Sequence, residues 1–451
     1  MSSLFDQSAL VSIAERLVAA ARRAGADAAD AVAVRGVSQS VELREGSVEE
    51  SARAEDDDVG LRVLVGRRQA VVSTNDLSNE GVDTLAERAV AMARVAPEDP
   101  YAGLAEPNLL ASGDAIELDL LDPEMPDIGI LEERARAAEA AALTVDGVTK
   151  SGGASASAGV GGLVLVTSGG FTGCYLGSRH SISMQAIAGN GTEMERDYDY
   201  TSAVHASDLE APEAIGRSAG ERAVRRLKPR KVPTQRVPLV FDTRVAGTLL
   251  GHLTAAVNGS AIARKTSFLR DSLDQKLFPA GILIIDDPHR RRGLRSHPFD
   301  AEGVVGNRRA LIEDGVLTTF LLDCATAREL GMETTGHAQR GVSSPPVPGA
   351  TNVHLEAGDE TPDMLIRDID QGLFVTDLIG MGVNMVTGDY SRGAAGFWIE
   401  RGELTFPVSE VTIAGNLVDM FASLRPANDL HFRYGINAPT VRVEGATVAG
   451  V

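Results

Sequence analysis

The segment GTLLGHLTAAVNGSAIARKTSF, residues 247 to 268, has the pattern of a helix carrying His252, with no catalytic company for that histidine. No second His, Cys or carboxylate lies three or four residues from it on either side. A zinc-binding helix sets two imidazoles one turn apart on one face, with a third ligand brought from elsewhere. None of the eight histidines, at 180, 205, 252, 289, 297, 337, 354 and 431, has a partner at that spacing. The chain also has no GxSxG elbow, no phosphate-binding Walker loop and no His-Glu-x-x-His. The glycine-rich GVGGLV (159 to 164) lacks the third glycine and the strand-to-helix setting of a dinucleotide site, and it is read as a hairpin turn. Cys174 and Cys324 are too few for a disulfide framework or a cysteine metal cage.

A second stretch is more unusual: GDYSRGAAGFWIERGELTFPVSEVTIAGN, 388 to 416. Asp389, Tyr390, Ser391 and Arg392 stand between glycines, just before a strand with the only tryptophan, Trp398. Glycines around a polar run at a strand edge let another backbone come close, so these four residues are candidates for contacting a peptide or a partner. The structural alternative is a turn in which Asp389 pairs with Arg392.

The elements that must position these groups follow from periodicity and punctuation. Apolar residues at helical spacing predict helices over about 8 to 23, 80 to 94 and 128 to 143. Between the first two, AVAVRG, QSVELREG, VGLRVLVGRR and QAVVSTN predict an antiparallel meander, with the acidic EDDD at 55 to 58 as an exposed turn. The stretch GGLVLVTSGGFTGCYLGSRHSISMQAIAG then returns to strands. Pro229 and Pro233 in RRLKPRKVPTQRVP mark a boundary, giving an N-terminal domain over 1 to 230 and a C-terminal domain over 231 to 451. Beyond it, VPLVFD is a strand and Asp242 or Thr243 caps a helix over 244 to 257. Asp314-Gly315 turns a hairpin in ALIEDGVLTTFLLD, and several more strands follow. The expected class is α+β: a layered helix and antiparallel-sheet domain, then a mostly β, barrel-like domain with short helices.

Composition narrows the function classes. At 451 residues the chain exceeds one ordinary core. A formal charge of −20 argues against general binding to nucleic acid or anionic membrane, both polyanions. The basic runs RRLKPRK and HRRRGLR are short enough to be salt-bridged surface. The first 25 residues alternate apolar and charged groups without the apolar run of a signal peptide, and no stretch has the length of a membrane span. With two cysteines, a cytoplasmic protein is expected.

RVAGTLLGHLTAAVNGSAIARKTSFL, HPFDAEG, DGVLTTFLLD, ELGMETTGHA and GDYSRGAAGFWIE…FPVSEVTIAGNL together resemble the TldD/PmbA family of bacterial proteases, on the side of its TldE-type partner subunits. The likeness runs through nearly the whole chain and is densest from about 236 to 430. In the family's catalytic TldD-type subunit this helix carries His-Glu-x-x-x-His, and a Cys near the C-terminus completes the zinc site. On that motif Gly251 falls at the first His, His252 at the Glu and Ala256 at the second His, and the C-terminal stretch LHFRYGINAPTVRVEG has no Cys. The resemblance therefore implies a subunit that binds no zinc and has no catalytic residue of its own. Zinc is expected in a TldD-type partner, where it would polarise the scissile carbonyl and activate water. The implied substrates are extended or unfolded peptides held at a sheet edge, as in maturation of peptide antibiotics or degradation of antitoxins. Alone, the chain is free to form a homodimer. Two other readings stay open: a stand-alone hydrolase assembled from His252, His337 and Cys324, and a regulatory binding protein, the modulator of DNA gyrase idea.

Overall fold

The computed structural model describes residues 6 to 112 and 116 to 450. The first layer is a six-stranded antiparallel sheet of β1 (Ala28–Arg44), β2 (Ser47–Val65), β3 (Arg68–Thr74), β4 (Val148–Thr167), β5 (Thr172–Ala188) and β6 (Glu195–Ala203), in the order β3-β2-β1-β4-β5-β6. Four helices cover one face: α1 (Ser8–Arg23), α2 (Asn79–Val95), α3 (Ile128–Leu143) and α4 (Pro212–Arg225). Strand alternation explains the sidedness. Ala29, Ala31 and Ala33 of β1 pack under α1 and α2, and Ala154, Ala156 and Ala158 of β4 under α3 and α4. Val32 and Leu165 point the other way, onto Phe171 and Phe299. Small alanines let the helices lie close to the sheet. The predicted α1 and α3 bounds agree with the structure, and α2 is longer by one residue at each end.

Two sequence readings are corrected. GVGGLV is no turn: it lies inside β4, laddered to β1 on one side and β5 on the other. EDDD is likewise inside β2, with Glu55 to Asp58 opposite Val37 to Val34. The predicted segments AVAVRG and QSVELREG are therefore one strand. Gly36 pairs with Gly161, and Gly161 with Gly177, so a glycine band crosses the sheet where local patterning suggested chain reversals. Pairing on both sides overrides the weak strand propensity of glycine and aspartate. The real reversal is at Glu45 and Gly46, both with positive φ.

In the C-terminal half, β7 (Gln235–Phe241) leads into α5 (Thr243–Ala256) and the short α6 (Gly259–Ala263). A small sheet follows from β8 (Ile284–Asp286), β9 (Arg309–Glu313) and β10 (Val316–Leu317), with α7 (Cys324–Leu330) after it. The β9–β10 hairpin turns at Asp314 and Gly315, both at positive φ, as that dipeptide predicts. β11 (Ala338–Gln339) pairs β12 (Val347–Pro348), and β13 (Val353–Leu355) joins β8. After α8 (Pro362–Ile366) come β14 (Gln371–Ile379), β15 (Asp389–Glu400) and β16 (Glu403–Asn416). They are followed by α9 (Leu417–Ala422), β17 (Arg425–Pro426), β18 (Ile436–Asn437) and β19 (Val441–Ala449). The order β16-β15-β14-β7-β19 closes on itself because β16 also pairs β19, giving a five-stranded barrel. The α+β class with a barrel-like C-terminal half is what the structure has. Among the described residues no helix is long and apolar enough to cross a membrane.

The two halves are joined by buried charge. Asp30 of β1 pairs with Arg62 of β2 and with Arg340 from the C-terminal half, all three side chains almost fully buried. The basic runs are taken up in ion pairs nearer the surface: Arg226 pairs with Glu195, Asp197 and Asp377, and the partly exposed Arg292 with Asp119 and Asp208.

Candidate functional site

Asp242 starts α5 by accepting the Arg244 N–H on its side chain, a side-chain cap of the kind its position predicts. The helix is two-sided. Val245, Ala246, Leu249, Leu250, Leu253 and Ala256 are buried in the barrel core, while Thr248, Gly251, His252 and Ala255 form the more open stripe. Arg244 fixes the first turn. It bonds the Asp197 carboxylate at 2.6 Å and the Tyr198 carbonyl at 2.9 Å, and lies over the Tyr198 ring. It also donates to Thr376 O on β14 at 2.8 Å. The candidate helix is thereby clamped between β6 of the first sheet and the barrel, a role that sequence reading missed.

The same contacts cover the edge of β6. Its outward carbonyls at Tyr198 and Tyr200 accept from Arg244 and Arg433, and the N–H groups of those tyrosines bond the carboxylates of Asp197 and Asp199. Edge strands left bare invite pairing, and this one is capped by side chains. The outer edge of β2 differs: β3 covers only Val59 to Val65, so among the described residues the stretch from Ser47 to Asp58 is laddered to β1 alone.

The four polar candidates divide by strand alternation. Asp389 and Ser391 face outward and are exposed, and Tyr390 and Arg392 face inward and are buried. Asp389 does not pair with Arg392. Its carboxylate accepts from Thr387 and Asn416, which hold its pKa down. Arg392 is 9% exposed and bonds backbone instead, through Nε to Gly380 O at 2.8 Å and Nη2 to Leu378 O at 3.5 Å.

Tyr390 and Arg392 meet His252. The Tyr390 and His252 rings stand edge to face with centroids 5.8 Å apart. His252 Nε2 and the Tyr390 hydroxyl are both buried and close no hydrogen bond in the described chain. Burial, with help from the neighbouring Arg392 charge, pushes the His252 pKa down to about 4, so the ring is neutral near pH 7. Burial pushes the Tyr390 phenol up to about 12. Next to His252, a Cβ at Gly251 would meet nothing within 4 Å. Ala256, in contrast, is fully buried at the last helical position, about 140° around a regular helix from Gly251.

Among the described residues no three His, Cys, Asp or Glu side chains are grouped to hold a metal ion. His252, His337 and Cys324 are not linked by any hydrogen bond between them. His337 bonds Thr335 and faces Asp286. Cys324 sits at the start of α7, its N–H on Glu302, and burial with that carboxylate pushes the thiol pKa up, away from a reactive thiolate. The motif residue Asp300 is structural too, accepting the N–H groups of Glu302, Val304 and Ala338. The arrangement can bind through buried donors. It holds no nucleophile–base pair among those three residues.

Comparison with known proteins agrees along the chain. Residues 29–93, 121–227 and 234–450 match the first, central and C-terminal domains described for the PmbA/TldA metallopeptidases. The sequence is 40% identical to "Metalloprotease PmbA" of Escherichia coli O157:H7 over 91% of this chain and 90% of that protein. It is 38% identical to a "Metalloprotease PmbA homolog" of Haemophilus influenzae over 95% of this chain and 94% of that one. A crystal structure of a candidate modulator of DNA gyrase from Bacteroides thetaiotaomicron superimposes with a TM-score of 0.90, at 29% identity and 98% coverage of both chains. TldE from Thermococcus kodakarensis shares the fold, with a TM-score of 0.85 at 21% identity over 97% of this chain and all of that one.

Proposed function

This chain belongs to the PmbA/TldD metallopeptidase family, and we propose that within it the chain is a TldE/PmbA-type subunit without catalysis of its own. It acts in the cytoplasm with a TldD-type subunit that carries the zinc, and the pair cleaves extended or unfolded peptides. What supports this reading is α5: Gly251, His252 and Ala256 stand there, at positions that the family resemblance matches to the His, Glu and His of a TldD-type subunit. A metallopeptidase site needs three protein ligands around zinc and a carboxylate to take the water proton. Neither glycine nor alanine supplies a ligand. His252, held neutral and packed on Tyr390, has no carboxylate in reach on its own helix.

This chain would then shape the peptide chamber and hold substrate. The uncovered Ser47–Asp58 edge of β2 is one place where an extended segment could add to a sheet. The test is reconstitution. Cleavage of unfolded peptides should be absent with this chain alone and strong when a TldD-type subunit is added. Zinc-dependent cleavage by this chain alone would overturn the assignment.

A further inference from the structure

Arg392 is a nearly buried cation, and no carboxylate pairs with it among the described residues. A buried charge without a counter-charge is costly, and native chains seldom keep one without use. Beside it lie two further polar groups, the hydroxyl of Tyr390 at 2% exposure, which faces the Arg392 guanidinium without closing a well-formed hydrogen bond to it, and Nε2 of His252, which has no partner among the described residues. Each of the three can donate a hydrogen bond, so the group that satisfies all of them is an acceptor carrying negative charge. The imidazole is neutral near pH 7, so the set carries one positive charge, which suits a mono-anion better than a phosphate dianion.

Access and surroundings point the same way. Gly251, the residue before His252 on α5, leaves open space around its Cα. The segment after β14 lies along β15, with Gly382 O accepting the Ser391 N–H and Gly380 O taking Arg392. Ile379 at the end of β14, and Met381 and Val386 in that segment, are exposed at 64%, 86% and 53%. Apolar side chains beside one buried cation match a peptide that brings a carboxylate on an otherwise uncharged backbone.

We propose that His252, Tyr390 and Arg392 form a receptor for a single peptide carboxylate, so that the helix aligned with the catalytic subunit's zinc helix serves here to anchor substrate. This rests on the peptide-handling role given above and specifies its chemistry. The test uses the isolated full chain and calorimetric titration with three probes: N-acetyl-trialanine, its C-terminal amide, and N-acetyl-Ala-Glu-Ala amide.

The free acid is expected to bind at least about tenfold more tightly than the amide, the loss expected when a charge-assisted bond is removed. Binding of the glutamate peptide instead would support the carboxylate receptor and assign a side chain as the source. Arg392→Gln should remove the discrimination and Tyr390→Phe should weaken it. His252→Glu, which supplies a carboxylate within the chain, should block binding. Equal binding of acid and amide by the unmodified chain overturns the proposal without using any variant, as does tighter binding of inorganic phosphate. Because the partner subunit is not in this assay, failure here leaves the cleavage test of the pair standing, and failure there leaves this result standing.

Discussion

Writing into α5 the His-Glu-x-x-x-His pattern that the family resemblance assigns to a TldD-type subunit requires Gly251→His, His252→Glu and Ala256→His, and the three positions differ in what they tolerate. At Gly251 a side chain enters open space, and replacing a mid-helix glycine recovers about 0.5 kcal/mol of helix propensity. At His252 a glutamate would sit beside Arg392 and gain a counter-charge. Ala256 has no exposed surface and belongs to the barrel core with Leu253 and Val257. An imidazole there overpacks the core at about 1–3 kcal/mol. It also buries an unpaired polar ring at about 1–3 kcal/mol more. The triple variant should therefore be about 2–6 kcal/mol less stable than the Gly251→His, His252→Glu double variant. Urea denaturation of both, followed by zinc analysis after dialysis, reads the difference. On the proposed reading no bound zinc and no peptidase activity are expected, because among the described residues no further His, Cys, Asp or Glu is grouped there to complete and orient a ligand set. A triple variant as stable as the double one, holding zinc and cutting peptides alone, would refute both the packing argument and the division of labour.

Two further outcomes follow from the buried charges. Asp30→Asn strands Arg62 and Arg340 in the junction between the halves, and should cost about 3–5 kcal/mol in urea denaturation; a loss below about 1 kcal/mol would make the pair a spectator. The His297 pKa is lowered to about 4 from 6.5, chiefly by burial, then by His337 and His289. Its contribution to stability is therefore complete above pH 6.5 and is lost as pH falls from 6.5 towards 4, by about 1–3 kcal/mol. His297→Gln should flatten the melting temperature over that range, and an unchanged acid slope would contradict the assignment.

Much of this was legible in the residues. Three of the four helices over the first sheet show in the apolar spacing, and Ser78 and Asp127 cap two of them, whereas α4, which has no side-chain cap, was missed. Asp314-Gly315 is a turn whose backbone requirement only a few residue types meet. The long sheet was obscured because glycines at 36, 161, 162 and 177 look like punctuation when only the local chain is read. The candidate site was half visible. Alternation along GDYSRG puts Tyr390 and Arg392 on one face and Asp389 and Ser391 on the other, which already argues against an Asp389–Arg392 pair. No spacing rule brings His252 to them, since 138 residues separate it from Tyr390 and the packing of α5 against the sheet that carries β15 makes the contact. The Arg244 clamp has the same character: its partners Asp197 and Thr376 belong to different sheets.

The most direct measurement of the central claim is the zinc content of this chain, purified alone, incubated with zinc and dialysed, beside the same measurement on its complex with a TldD-type subunit. The account predicts no stoichiometric zinc in the chain alone and about one per pair in the complex, all of it carried by the partner. About one tightly held zinc per chain without the partner would contradict it.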